Sequence, residues 1–150
     1  MKMKSSRTLS VSAAALASAS PALAERIDSP AWDALAAIQI EEIVTDTSYE
    51  VRKIFPVEIK DGVEQFDITG YAVPLGDTAN VREFMIVSDM GFCPFCGDPE
   101  HGTALQVTLT EPLPFVEEGM RLTLRGSLET IKDSQTWQSA IMRDAVVIKG

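Results

Sequence analysis

The sequence predicts a mainly β fold, a small antiparallel barrel of OB-like form with one short N-terminal helix. Three observations predict it. Leu105, Val107 and Leu109 alternate with Gln106, Thr108 and Thr110, the pattern of a strand with one dry and one wet face. Met120, Leu122, Leu124 and Leu128 alternate in the same way with Arg121, Thr123, Arg125 and Glu129. Phe84-Met85-Ile86-Val87 is a continuous apolar run of strand length. Five or six short strands with little helix suit a closed antiparallel barrel.

Taken in chain order, the first element is a leader. Lys2, Lys4 and Arg7 precede the small apolar stretch from Leu9 to Ala19, and Ala22-Leu23-Ala24 has the small-x-small form of a cleavage site. Residues 1–24 are therefore expected to be a signal peptide, and residues 25–150 a single barrel domain. With 150 residues and 45% hydrophobic composition, the chain has apolar mass for one core. No later apolar run approaches the roughly 20 residues needed to cross a bilayer. No cysteine follows the cleavage site to carry a lipid. A soluble periplasmic or secreted protein is expected. Loss of Lys2, Lys4 and Arg7 with the leader takes the formal net charge from −9 to −12. Such a surface repels phosphate and argues against nucleic acid and anionic lipid as partners.

Ser29-Pro30 ahead of Trp32, Leu35 and Ile38 reads as a capped helix of two or three turns. Tyr49, Arg52, Lys53 and Phe55 mix aromatic and basic character, yet fit ordinary strand alternation better than a nucleic-acid face. Val57 and Ile59, then Asp61-Gly62, then Phe66 and Ile68 predict a β-hairpin. Apolar parity is even at 66 and 68 but odd at Tyr71, Val73 and Leu75, so the inward face is expected to change through a bulge or bend at Gly70. "EPLP" at 111–114 is expected to break the strands, Glu117-Glu118 to be a solvated loop, and Ala145 to Ile148 to form the last strand. Trp32 and Trp137 read as core or lid residues.

The order of "ITGYAVPL" (68–75), "FMIV" (84–87), "GFC" (91–93) and "VTL" (107–109), with Trp32 and Leu35 upstream, resembles a bacterial family of small exported proteins defined only as a domain of unknown function. The resemblance implies a periplasmic, β-rich, OB-like domain and a link to metal handling, with a metal-transport component as partner. Members often continue the cysteine with a histidine and a run of prolines, where this chain has "CPFCGDPEHG".

"MGFCPFCGDPEHG" at 90–102 holds both cysteines and the one histidine of the chain. "CPFCG" has the form of a knuckle that turns two thiolates toward one metal, with the glycine allowing backbone N–H groups to face the sulfurs. A closed tetrahedral site needs four ligands. His101 is the third candidate, Asp98 or Glu100 the fourth, and Met90 would favour a softer ion. The cofactor expected is zinc or copper, held by Cys93, Cys96 and His101, in a binding or trafficking protein rather than an enzyme. Two alternatives stay open. One is a thiol-disulfide oxidoreductase using the CPFC pair. It is weakened because Gly97, Asp98, Pro99 and Gly102 deny the cysteines a helix N-terminus. The other is a binding scaffold in which Cys93 and Cys96 form a structural disulfide, as an exporting compartment would allow. No phosphate loop, nucleophile elbow or catalytic triad is present.

Overall fold

The computed structural model of the protein describes residues 26–91 and 103–150. The expected leader lies outside the described residues. Within them the chain is mainly β, as the alternation predicts. A short helix α1 (Pro30–Ala36) is followed by β1 (Gln39–Val44), β2 (Tyr49–Ile54), β3 (Val63–Pro74), β4 (Ala79–Val87), β5 (Ala104–Phe115), β6 (Arg121–Thr130) and β7 (Ala140–Lys149). Strands β3-β4-β5-β7-β6 close into a barrel, while β1 and β2 form a separate two-stranded ribbon. The barrel ladders are antiparallel except β5–β7, which is parallel. This is a small OB-like barrel with one parallel pair. No helix among the described residues is long and apolar enough to cross a membrane.

The helix starts where the sequence places it. Ser29 is extended, and its side chain accepts from the Trp32 backbone N–H at 3.4 Å while Pro30 occupies the first turn. The helix buries Trp32 and Leu35 in the core that fills the barrel, beside Ile68, Phe84, Ile86, Leu105, Val107, Leu124 and Met142. Trp32 Nε1 donates to the Thr69 carbonyl at 2.7 Å, so the buried indole has its polar atom satisfied.

That indole explains Gly70. A Cβ at position 70 would lie 2.5 Å from Ile86 Cγ1, 2.7 Å from the Val87 carbonyl oxygen and 2.9 Å from Trp32 Cζ2. The inward face does not change there. Phe66, Ile68 and Ala72 belong to the core, Leu75 is exposed, and the β3–β6 register runs unbroken from Phe66 to Tyr71. The irregularity lies earlier, between Val63 and Phe66. Gly70 serves close packing at the point where β3 passes from pairing with β6 to pairing with β4.

Two other expectations are corrected. Residues 55–62 form a turn and not a strand, because Pro56 fixes its own φ and its carbonyl accepts from Ile59 and Lys60 at 3.1 and 3.0 Å. The hairpin is instead β1–β2, with Gln39 opposite Ile54 and Val44 opposite Tyr49. "EPLP" does not end β5, which continues to Phe115. Pairing with β7 stops at Leu109, leaving one edge free beside Pro112 and Pro114 while β4 covers the other. The strand alternation expected from Tyr49 onward and the last strand are present as β2 and β7. Glu117 and Glu118 are exposed.

Candidate functional site

The β4–β5 connection carries the predicted ligands, and its two feet are described. Pairing of the strands ends at Val87 opposite Ala104. One step further, the Ser88 N–H donates to the Thr103 carbonyl at 3.0 Å, and the Thr103 N–H donates to Ser88 Oγ at 3.0 Å. The Ser88 carbonyl accepts from the Ile27 N–H at 2.8 Å, which ties the N-terminal segment to the same point. Ser88 is 2% exposed, the one buried polar residue among the described residues, and its N–H, C=O and hydroxyl are all used. The connection thus begins and ends at a closed neck, its feet about 5 Å apart as across any strand pair.

Beyond Ser88 the chain turns at once. Asp89 Oδ1 accepts from the Gly91 N–H at 2.8 Å, a local side-chain turn that redirects the backbone. Met90 is half-buried. Its thioether lies over Gly119, where a Cβ would be 3.6 Å from the methyl carbon and 3.9 Å from the sulfur. Gly119 has φ +83° and donates its N–H to the Ala72 carbonyl at 2.8 Å, so Met90 packs on a fixed turn.

Of the six predicted ligand positions, Met90 alone falls among the described residues. Cys93, Cys96, Asp98, Glu100 and His101 lie outside them, in residues 92–102. Among the described residues no group of three or more His, Cys, Asp or Glu side chains could hold a metal ion.

A second polar arrangement escaped the sequence reading. The loop at 131–139 joins β6 to β7, and the Ile131 N–H closes it on the Ser139 carbonyl at 2.8 Å. The β1–β2 ribbon docks on this loop. The Val51 N–H donates to the Ser134 carbonyl at 2.8 Å, and Lys53 Nζ donates to the carbonyls of Ile131, Asp133 and Gln138 at 3.0, 2.7 and 2.7 Å. Burial lowers the Lys53 pKa, opposed by the Asp133 carboxylate. Trp137, which the sequence places in a core or lid, is 50% exposed. Its Nε1 donates to the Tyr49 hydroxyl at 2.6 Å, and that hydroxyl donates to Glu42 at 2.8 Å. The bond to Glu42 holds the Tyr49 hydroxyl above the ordinary phenol pKa. Except for the Tyr49–Glu42 bond and the Ile131–Ser139 closure, these partners lie 78 to 88 positions apart in the chain, so no local pattern could announce them.

Comparison of the chain with family models, with curated proteins and with solved structures returns no match.

Proposed function

We propose that this is an exported metal-binding protein that takes one zinc or copper ion through Cys93, Cys96 and His101. Asp98 or Glu100 completes a zinc site, and Met90 would join if the ion is Cu(I). The observation that carries the reading is the closed neck at Ser88 and Thr103. Both ends of a short connection are anchored, so its three soft or borderline donors search a small volume, and bringing them to one ion costs less chain entropy than in an open segment. The resemblance of 68–109 to exported proteins linked to metal handling supports the same role, with a periplasmic metal-transport component as the partner. Nothing in this role requires catalysis.

The test is metal titration of the reduced mature protein and its variants. Cys93→Ser and Cys96→Ser should each abolish tight binding, because a two-thiolate knuckle that loses one thiolate has no soft anchor left. His101→Ala should weaken binding by less. Affinity should fall as pH drops through the histidine range and below, since thiolates and neutral imidazole must lose protons before they coordinate. Efficient reduction of insulin by the metal-free dithiol would overturn the reading in favour of thiol redox chemistry.

A further inference from the structure

We infer that a cleft on the outer surface of the barrel binds a neutral saccharide, independently of the metal reading. The cleft, about 390 Å³, lies between β4–β5 and the loop at 131–139, with Leu35 and Ile38 adding apolar wall. Its volume is within the roughly 300–1,000 Å³ of small-ligand sites.

The chemistry of its lining selects the ligand. Among the described residues none that lines it is charged, although the chain carries 22 acidic and 13 basic residues. Phosphates, nucleotides and basic peptides therefore find no counter-charge on these described walls. Trp137 presents a large apolar face that is half exposed, and its bond to Tyr49 keeps the indole from collapsing onto the barrel. Gln138 Nε2 donates to Gln106 Oε1 at 2.8 Å. That pairing fixes both amides and leaves the Gln106 amide nitrogen and the Gln138 amide oxygen with bonding capacity toward a ligand. A pyranose ring offers what these groups lack. Its C–H face is drawn to the negative face of an indole, and its hydroxyls donate to and accept from amides. The loop bearing Trp137 and Gln138 is already held by Lys53, so little ordering cost accompanies binding.

Fluorescence reads this site selectively. Of the two tryptophans, Trp32 is 3% exposed in the core, so a ligand-dependent change in emission reports Trp137. The mature protein is titrated with tri-N-acetylglucosamine and with maltotriose, and with trilysine and hexathymidylate as charged comparators. One or both sugars should give a saturable change whose midpoint moves less than about twofold between low and high salt. Calorimetry should show binding weakened about tenfold or more by Trp137→Ala and several-fold by Gln106→Leu. Gln106 sits on β5 and its substitution leaves the Lys53 anchor in place, so that loss cannot be a detached loop. The Cys93→Ser/Cys96→Ser variant should bind sugar like the parent, whatever its metal content. The inference is overturned if neither trisaccharide binds at up to about 10 mM, if a charged comparator binds in preference, or if Gln106→Leu binds sugar as the parent does.

Discussion

Lys53→Met replaces the ammonium that gathers the β6–β7 loop with an apolar tip of similar reach. Three carbonyls lose a charged donor at 3.0, 2.7 and 2.7 Å. Only the bond to Ile131 is part-buried, and there the full loss of about 1.5 kcal/mol applies. The carbonyls of Asp133 and Gln138 are exposed and rehydrate, so each costs about 0.5 kcal/mol. Methionine regains part of this by not desolvating a charge, which leaves about 2 kcal/mol. For a domain of this size that lowers the Tm by about 8 °C in a thermal melt followed by circular dichroism. Lys53→Arg should recover little, because a planar fork cannot converge its donors on three oxygens as an ammonium does. Trp137 emission should shift in the methionine variant as Gln138 loses its anchor. A Tm within about 1 °C of the parent, with unchanged emission, would refute the view that Lys53 organises the loop.

Two further predictions concern the barrel. Gly70→Ala should destabilise it by about 3 kcal/mol, since the new methyl would stand 2.7 Å from a backbone oxygen that cannot step aside, and chemical denaturation will measure it. Asp67 accepts from Arg125 Nε and Nη2 at 2.7 and 2.6 Å across the β3–β6 ladder, and this hydrogen bonding holds its carboxyl below the ordinary aspartate range. A depressed folded-state pKa means that the contribution is present above the ordinary range and is lost as pH falls through the lowered value. A carboxyl titration by NMR should find Asp67 low in the parent and at its ordinary value in Arg125→Ala.

The barrel was legible because its strands bury one face each. Leu105 to Leu109 and Leu122 to Leu128 alternate in sequence and in burial alike. The β1–β2 ribbon gave no such signal, since β1 is exposed along nearly its whole length and packs no face on the core. Val57 and Ile59 alternate like strand residues, but the tertiary fold uses only Ile59, 2% exposed, as a plug from a turn. Apolar parity misplaces the inward face at Gly70 because Ala72, fully buried, carries too little hydrophobic weight to outvote Tyr71 and Val73. As for function, the ligand-rich segment stands out by residue type alone, whereas its neck depends on one serine whose three polar groups find partners only in the folded chain. The Trp137 cleft joins Gln106 and Gln138 across 32 positions, a distance over which sequence carries no pairing rule.

The most direct test of the central claim is elemental analysis of the reduced mature protein and of its Cys93→Ser/Cys96→Ser variant after equal exposure to zinc and copper, with thiols counted on the same samples. The account predicts one ion per chain in the parent, with both thiols protected from reagent until a chelator is added, and no tightly held ion in the variant. Equal metal uptake by the two proteins would contradict it.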